Sequence, residues 1–407
     1  MKRLLIIGGG AAGMAAAISA AKADCRLQIT ILERMPRVGK KILATGNGRC
    51  NLGNKEIAPA HYHSDSNAQM ALMIAQMPAK RTTEFFSQLG LICDTEDMGR
   101  IYPRCRQASM VVDVLLLALK RLHIQTECDT EVIALKKTNN GYTVNTATEK
   151  KFHADAVILC TGGKAAPKQG SNGSGYILAG SLGHKHTALR PCLVALKSSH
   201  PALKGLKGIR AHCTSTLWCD GKPVHSEYGE LQFTDYGLSG IPALQHSCRL
   251  QGKKQEISID FFPDLQPAEL TAMITQRAQL YPGETLENAL LGLINKKLLS
   301  ALLKSAEITP TSRTISSLCK QEIRKLAETL KNWRFPITGT LDWEQAQVTR
   351  GGIPLSDVDA QFASVKEKGL YFAGEILDVQ GDCGGYNLHW AWCSGMTAGN
   401  AAAEYLK

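Results

Sequence analysis

The stretch that decides the fold lies at the start of the chain, where residues 3–33 read RLLIIGGGAAGMAAAISAAKADCRLQITILE. Apolar residues predict a strand over 3–7 and a second strand over 28–32. The alanine-rich segment between them predicts a helix that ends near residue 23. This order of strand, helix and strand indicates a βαβ unit, which predicts a parallel sheet.

Three glycines and one acidic residue indicate that this βαβ unit binds a ligand. Gly8, Gly10 and Gly13 form G-x-G-x-x-G between the first strand and the helix, and Glu33 follows Gly13 by twenty residues. In this setting the pattern is typical of dinucleotide binding, because Gly8 permits a tight turn, Gly10 lets the backbone approach a pyrophosphate, and Gly13 lets the helix pack on the strand. The helix N-terminus favours phosphate, and Glu33 can accept hydrogen bonds from ribose hydroxyls. The alternative is an ordinary βαβ unit with small residues at a packing contact.

Length and apolar patterning indicate a protein of several domains. A chain of 407 residues predicts two or three domains. The longest apolar stretches, such as residues 111–119, are shorter than the roughly 20 residues that cross a bilayer, so no membrane partner is expected. Met1, Lys2 and Arg3 lead directly into the first strand. We therefore expect no signal peptide and a cytoplasmic location.

Cysteine content and charge narrow the possible chemistry. The 13 cysteines are scattered without a C-x-x-C pair, which argues against a disulfide framework or a zinc ribbon. No metal site is predicted, and most cysteines are expected to be buried, reduced thiols. The formal charge of +11 is dispersed in pairs such as Lys40-Lys41 and Lys253-Lys254. Such a surface suits anionic cofactors or substrates, whereas nucleic acid is the less favoured partner because no long basic run with interleaved aromatic residues occurs.

The order of the predicted elements indicates one core with inserted modules. Predicted strands and helices alternate up to residue 190, and glycine-rich motifs with short strands occur again after residue 348. We therefore predict a discontinuous nucleotide-binding domain that is interrupted by a β-rich domain and a small helical domain. The predicted bounds are 1–190 plus 348–407 for the nucleotide-binding domain, 191–262 plus about 333–347 for the β-rich domain, and 263–332 for the helical domain.

Local patterns within these domains predict further elements. Apolar periodicity predicts helices over residues 67–89 and 285–305. Runs of β-branched and apolar residues predict strands over residues 124–137 and 230–233. Asp220-Gly221 is a hairpin turn signal.

Three glycine-rich segments, far apart in sequence, suit one long ligand. They are the opening turn, residues 39–51 (GKKILATGNGRCN) and residues 374–387 (GEILDVQGDCGGYN). The second offers close backbone approach and side-chain donors. The third precedes a predicted final helix, whose N-terminus would place N–H donors against an electron-rich ring. NAD would need no third segment, whereas FAD is longer and its flavin gains negative charge on reduction, so the sequence predicts FAD.

Several stretches also make the chain similar to a known family. Residues 40–51, 229–240 (GELQFTDYGLSG), 348–352 (VTRGG) and 370–394 (LYFAGEILDVQGDCGGYNLHWAWCS), together with 100–103 (RIYP), resemble the BaiN/RdsA family of NAD(P)/FAD-dependent oxidoreductases. The resemblance covers nearly the whole chain. It implies an α/β fold with a Rossmann-like FAD-binding domain of the three-layer ββα type, similar to glutathione reductase, with an inserted β-rich domain and a small helical domain.

The resemblance further implies which residues hold FAD. The opening turn and the end of the second strand would hold the ADP half, and Val132 would contact adenine through its backbone. The second segment would line the pyrophosphate and flavin side, and the third would close on the ribityl chain and the ring. We add the small residues Ala12 and Gly46 and the pair Thr161-Gly162, which follows a buried strand. The full candidate set is Gly8, Gly10, Ala12, Gly13, Glu33, Arg34, Lys41, Thr45, Gly46, Asn47, Gly48, Asn51, Val132, Thr161, Gly162, Gly374, Glu375, Asp378, Gly385, Tyr386 and Asn387.

Four residues are candidates for proton transfer near the flavin: Tyr102, Asp235, Tyr236 and His389. A tyrosine hydroxyl can donate a proton to an enolate as hydride arrives at the β-carbon. Alternatively, His389 is a packed polar residue of the final helix, and Tyr102 fills a turn before Pro103. Many members of the family have histidine where this chain has Asp235, so a catalytic histidine at this position does not transfer.

These observations predict a flavin-dependent oxidoreductase that reduces a small organic substrate with hydride from NADH or NADPH. The C=C of an enone, as in bile-acid intermediates, is one substrate class that the resemblance implies. No second G-x-G-x-x-G is present, so the nicotinamide is expected to bind only transiently. The alternatives are an aminoacetone-type amine oxidase that produces peroxide, a tRNA-modifying flavoprotein, and a flavin-binding protein without turnover. Oligomeric state and the choice between NADH and NADPH stay open.

Overall fold

The two ends of the chain fold together. A computed structural model describes all 407 residues and divides them into two units. The first unit comprises Met1–Cys192 and Trp343–Lys407, and the second comprises Leu193–Asp342. The first unit is therefore discontinuous in sequence.

The first unit is built on a five-stranded parallel sheet. The opening strand lies at its centre, where Leu5 is opposite Val157 on one side and Thr30 on the other. Residues 4–7 are all buried, as expected for a parallel sheet that is covered on both faces. In order across the sheet, the strands are Leu370–Phe372, Ala156–Leu159, Arg3–Ile7, Gln28–Leu32 and Gln125–Glu127.

Shorter antiparallel strands accompany the parallel sheet. The single strand predicted over residues 124–137 is wrong in extent, because Gln125–Glu127 and Val132–Thr138 belong to different sheets. Asp129 between them has a left-handed φ of 51°, which interrupts an extended chain. In spatial order, the smaller sheets contain Lys151–Ala154, Gly141–Thr146 and Val132–Thr138; Gly53–Asn54, Arg100–Pro103 and Cys93–Thr95; Gln380–Gly381 and Tyr62–His63; and Arg190–Cys192 and Val348–Arg350.

Two helices from opposite ends of the chain pack closely together. The opening helix is Ala11–Ala23 and the closing helix is Tyr386–Leu406. A Cβ atom at Gly395 would collide with the carbonyl oxygen of Ala12, and one at Gly399 would collide with that of Ala16. Small residues on both helices therefore let the two backbones approach closely, which explains why the opening helix is rich in alanine.

Most of the other helices of the first unit are short. The single helix predicted over residues 67–89 is wrong in extent, because it is two helices with Pro78 between them. Proline lacks the N–H that a continuing helix needs, and its ring clashes with the preceding turn. With its parallel sheet and flanking helices, the predicted α/β, Rossmann-like fold is confirmed. The remaining helices are Lys40–Leu43, Asn67–Ala75, Lys80–Gln88, Ala108–Arg121 and Ser174–Gly180.

The second unit contains a closed six-stranded barrel. Alternate residues of Arg210–Cys219 are buried from Cys213 onward, which is the pattern of a strand with one face toward a core. The strand predicted over residues 230–233 begins earlier, at Lys222, because the turn at Asp220 and Gly221 closes a long hairpin. In spatial order, the strands are Leu196–Ser198, Gly237–Ser239, Lys222–Phe233, Arg210–Cys219, Gln255–Asp260 and Trp333–Thr340.

Helices of the second unit share a hydrophobic core with the barrel. Leu302 and Leu326 from the helices and Trp333 and Phe335 from the barrel belong to one buried cluster. The predicted helix over residues 285–305 is two helices, and the predicted separate helical domain stays a prediction. The helices are Ile241–Ser247, Pro267–Leu280, Leu286–Ala289, Lys296–Ser305 and Lys320–Lys331.

Two chain-wide features bear on the expectations from composition. No helix in the structure combines the length and apolar character that crossing a membrane requires. Eleven cysteines are free thiols, of which five are buried. Most cysteines were expected to be buried and reduced; these eleven are reduced, but six of them are at least partly exposed.

The packing of the opening helix on the closing helix predicts a large effect of one methyl group. We expect Gly399→Ala to lower the free energy of unfolding by about 1–3 kcal/mol, because its Cβ would push against the Ala16 carbonyl. Gly180→Ala is the matched control, since a Cβ there meets no atom within 4 Å. Urea-induced unfolding measures both variants. Equal stability of Gly399→Ala and the native protein would contradict close packing of the two helices.

Candidate functional site

The opening turn leaves open space beside one of its three glycines. Gly8 has a φ of +105°, and a Cβ atom there would collide with the carbonyl oxygen of Cys160. A Cβ atom at Gly13 would collide with the carbonyl oxygen of Gly8. At Gly10, by contrast, a Cβ would meet nothing within 4 Å. Two glycines are therefore needed for packing, whereas Gly10 borders a space at the N-terminus of the opening helix.

Glu33 is oriented by backbone groups next to this space. Its Oε2 accepts the N–H of Gly9 at 2.7 Å and its Oε1 accepts the N–H of Met35 at 2.8 Å. A carboxylate oxygen has a second lone pair, so each oxygen can still accept a ligand hydroxyl. The adjacent Arg34 pairs with Glu131, at 3.4 Å between Nε and Oε1, and Val132 follows on a strand as a buried residue.

The second glycine-rich segment is attached to the opening turn. The N–H of Gly39 donates to the carbonyl oxygen of Gly9 at 2.8 Å. Further along, Thr45–Gly48 forms a short turn of 3₁₀ helix in which Gly46 and Asn47 have left-handed dihedrals. Asn51 ends the segment, and its buried Oδ1 has no hydrogen-bond partner. An orphaned buried acceptor is costly unless a ligand or water satisfies it, so this atom marks a place where a donor group would fit.

The third segment contacts the first and the second. A Cβ atom at Gly374 would lie 2.8 Å from the Cβ of Ala12. The carboxylate of Glu375 pairs with Lys41 at 2.8 Å through Oε2 and accepts the N–H of Thr349 at 2.9 Å through Oε1. The three glycine-rich segments are therefore brought together by one short approach and one half-buried ion pair.

The turn before the closing helix completes this arrangement. Gly385 caps the helix with a φ of +97°, and a Cβ there would lie 2.6 Å from Oδ1 of Asn51. Asn387 holds the turn through two bonds to the backbone of Gly381, at 2.8 and 2.7 Å. Tyr386 is buried and stacks on His61. The orphaned acceptor of Asn51 and the free N–H groups of a long helix therefore lie side by side.

Thr161 and Gly162 lie beyond the carboxyl end of the strand next to the opening strand. Ligands of open α/β sheets bind outside the carboxyl ends of the strands, so this position fits the prediction for the pair. Two residues in this region were missed from the sequence. The hydroxyl of Thr349 accepts the N–H groups of residues 164 and 165 at 2.7 and 3.0 Å, and that of Ser394 accepts the N–H of Gly374 at 2.9 Å. Their presence in the family-like stretches was the available signal.

Asp378 is a buried carboxyl group within the third segment, with 2 % of its surface exposed. Its Oδ2 accepts the N–H of Asp65 at 3.1 Å. Burial raises the pKa of this carboxyl to about 6, because the charged form loses hydration.

Two of the four candidates for proton transfer lie in the first unit. His389 is fully buried, and its Nε2 donates to the carbonyl oxygen of Met77 at 2.8 Å while its Nδ1 accepts from Thr82 Oγ1 at 2.8 Å. Burial lowers the pKa of His389 to about 4, so the ring is neutral at pH 7 with both nitrogens used inside the protein. These contacts agree with the alternative of a packed polar residue. Tyr102 is buried, and its hydroxyl accepts from Arg49 Nη2 at 3.4 Å.

The other two candidates lie in the second unit, between the strands Lys222–Phe233 and Gly237–Ser239. Asp235 is exposed and pairs with Lys207 at 2.6 Å. The hydrogen bond from that lysine lowers the pKa of Asp235. Tyr236 is also exposed. A catalytic role for each of the four residues stays a prediction.

The buried carboxyl of Asp378 predicts a pH-dependent stability. Its pKa in the folded protein, about 6, exceeds the ordinary value of 3.8, so its protonated form favours folding. This contribution is complete below about pH 4 and is lost as the pH rises through 6. The native protein should therefore lose stability between pH 4.5 and pH 7.5 relative to Asp378→Asn, which has no group to titrate at this position. Urea unfolding of both proteins at both pH values measures the difference. A difference between the two proteins that does not change with pH would contradict this expectation.

Comparison with known proteins identifies the family. The family described as "HI0933-like protein Rossmann domain" matches residues 2–401. The chain is 38 % identical over 418 aligned residues to a 3-dehydro-bile acid delta(4,6)-reductase of Clostridium scindens, covering 99 % of this chain and 100 % of that protein. It is 29 % identical to a ribosomal RNA dihydrouridine synthase of Haemophilus influenzae, with 96 % of each chain covered.

Solved structures share the fold. A 3-ketosteroid-delta4-(5alpha)-dehydrogenase from Rhodococcus jostii RHA1 superposes with a TM-score of 0.51 at 17 % identity, covering 99 % of this chain and 97 % of that one. The predicted resemblance and the predicted enzyme class, a flavin-dependent oxidoreductase, are confirmed. With a match that spans nearly all of its length, the chain belongs to the HI0933-like family.

Proposed function

We propose that this protein binds FAD and reduces a C=C bond conjugated with a carbonyl group in a small organic substrate, with NADH or NADPH as the hydride donor. The observation that carries the proposal is the whole-length similarity to a reductase whose name specifies double bonds in a 3-dehydro bile acid. The contact of three glycine-rich segments around the open space at Gly10 supports it.

The residues at this site fit the parts of FAD. The N–H groups at the start of the opening helix, next to Gly10, suit a pyrophosphate. Glu33 keeps free lone pairs for the adenosine ribose, and Val132 offers backbone groups for the adenine. The acceptor of Asn51 lies beside the donor-rich start of the closing helix at Gly385, which suits a ring edge with both an N–H and carbonyl oxygens. When bound, FAD supplies the two-electron chemistry of hydride transfer.

The protein must also supply a proton. Addition of hydride to the β-carbon of an enone leaves an enolate, and a proton at the α-carbon completes the reduction. Tyr102, Asp235, Tyr236 and His389 are the proposed candidates. The exposed hydroxyl of Tyr236 is accessible for this role, whereas Lys207 favours the ionised form of Asp235 and both nitrogens of His389 are engaged within the protein.

Reduction of a uracil ring in RNA is the second candidate. The C5=C6 bond of uracil is also conjugated with a carbonyl group, so the same hydride chemistry applies. The similarity to a ribosomal RNA dihydrouridine synthase and the formal charge of +11 favour it. This candidate requires RNA binding that weakens as salt concentration rises, since phosphate contacts release counterions. Absence of RNA binding at physiological ionic strength would remove it.

The proposed function predicts a coloured protein with a defined electron donor. The purified protein should be yellow, and NADH or NADPH should bleach its flavin absorbance in the absence of oxygen. Addition of a 3-oxo-4-ene steroid acid should then restore the absorbance as the enone is reduced. A protein that stays colourless after incubation with FAD would contradict the proposal. Rapid peroxide formation from aminoacetone, without bleaching by either nicotinamide, would favour the amine oxidase instead.

A substitution at Gly10 tests where the cofactor binds. We expect Gly10→Val to weaken FAD binding by at least about tenfold, because its side chain would occupy the space proposed for the pyrophosphate. The unfolding temperature of the apoprotein should stay close to the native value, since the new side chain meets no protein atom near its Cβ. Gly205→Val in the second unit is the control, because a Cβ there is equally open. Native FAD affinity in Gly10→Val would place the cofactor elsewhere.

A further inference from the structure

We propose that Arg49 is a positioning residue for the flavin. Together with Tyr102 and Glu96, it holds the loop of residues 45–51 in the conformation that faces the cofactor. This inference rests on the proposed FAD site, and it assigns a role to a charged side chain for which neither the motifs nor the comparisons supply one.

The loop has a backbone that needs external support. Gly46, Asn47, Gly48 and Cys50 have φ values of 57°, 55°, 80° and 60°. Left-handed dihedrals are unfavourable for residues with a Cβ atom, so two of these four positions carry strain. Two backbone hydrogen bonds lie within the loop, from the N–H of Cys50 to the carbonyl oxygen of Thr45 at 3.0 Å and from the N–H of Arg49 to that of Gly46 at 3.2 Å. The surrounding side chains must supply the rest.

The ring of Tyr102 packs against the loop of residues 45–51. Tyr102 lies on the strand Arg100–Pro103, which pairs with a neighbouring strand on each side. Only 3 % of Tyr102 is exposed, so its ring has a fixed place. A Cβ atom at Gly46 would lie 3.3 Å from Cε1 of this ring. The loop backbone therefore packs directly against a buried aromatic ring.

Arg49 links the loop to the ring of Tyr102. Its Nε donates to the carbonyl oxygen of Gly46 at 3.4 Å, and its Cζ lies 4.5 Å from the centroid of the Tyr102 ring. Its Nη1 pairs with Glu96 Oε2 at 3.5 Å. One guanidinium thus contacts the loop backbone, the aromatic ring and an acid, which a flexible lysine side chain could not match.

Glu96 anchors a second cation on the same ring. Its Oε1 pairs with Arg106 Nε at 3.0 Å, and the Cζ of Arg106 lies 5.7 Å from the Tyr102 centroid. We call these four residues, Arg49, Glu96, Tyr102 and Arg106, the loop clamp. The negative charge of Glu96 offsets the repulsion between the two arginines, so both cations stay beside the ring.

Substitutions in the loop clamp test this role through FAD affinity. We expect Arg49→Met and Tyr102→Leu each to raise the dissociation constant of FAD about tenfold. The first variant removes the guanidinium that links the loop to the ring, and the second removes the ring on which the loop packs. Both should also shift the visible absorption band of the bound flavin. Tyr102→Phe keeps the ring and should change the dissociation constant by less than about twofold. Arg104→Met is the matched control, since Arg104 is exposed and pairs with Asp94 instead. Fluorescence titration of the apoproteins measures the affinities.

The outcomes separate the clamp from the FAD site itself. If the native protein binds no FAD, the proposed function fails. If the native protein binds FAD and both Arg49→Met and Tyr102→Leu bind it with native affinity and an unchanged absorption band, the loop clamp is wrong. A lower unfolding temperature of Arg49→Met with unchanged FAD affinity also overturns the inference, because the residue would then serve stability alone.

Discussion

The close approach of the opening and closing helices is the constraint on which the site depends. Gly395 and Gly399 let the closing helix rest against the carbonyl oxygens of Ala12 and Ala16. This contact joins segments from the two ends of the chain, and Gly374 of the third glycine-rich segment lies next to Ala12 at the start of the opening helix. One ligand can therefore contact segments from both ends of the chain.

Polar contacts link the glycine-rich segments to one another. The ion pair between Lys41 and Glu375 links the second and third segments, and Thr349 extends this link to a further loop through its hydroxyl and its N–H. Because Lys41 and Glu375 are each at most about a quarter exposed, their interaction is screened less than a surface pair. The same half-buried setting suits an anionic cofactor, whose charge would meet both the lysine and the helix N-termini.

Sequence patterns predicted the parts of the fold that local residues determine. The opening strand, helix and second strand follow from apolar runs and glycines close together in sequence, and their predicted bounds nearly match the structure. The helix predicted over residues 67–89 and the strand predicted over residues 124–137 are each two elements. The first is interrupted at Pro78 and the second at Asp129, which has a left-handed φ. An apolar run does not reveal such an interruption unless the turn residue is given more weight than the periodicity.

The site was predictable as segments but not as contacts. Glycine spacing indicated which stretches converge, whereas the partners of His389 lie more than three hundred residues away in sequence, Thr82 on a helix and Met77 in the connection before it. A histidine in a helix is equally compatible with catalysis and with packing until its two nitrogens are accounted for. Hydroxyl groups such as Ser394, which supports Gly374, carry no pattern that separates them from ordinary polar residues.

Hydrogen–deuterium exchange with and without FAD tests whether one FAD site is built from three segments. We expect FAD to slow exchange in three separate peptides, which cover residues 8–13, 45–51 and 374–387. We expect little change in the helix Lys296–Ser305 of the second unit. Protection confined to the second unit, or protection of the opening turn without residues 45–51 and 374–387, would contradict a single FAD site built from three segments.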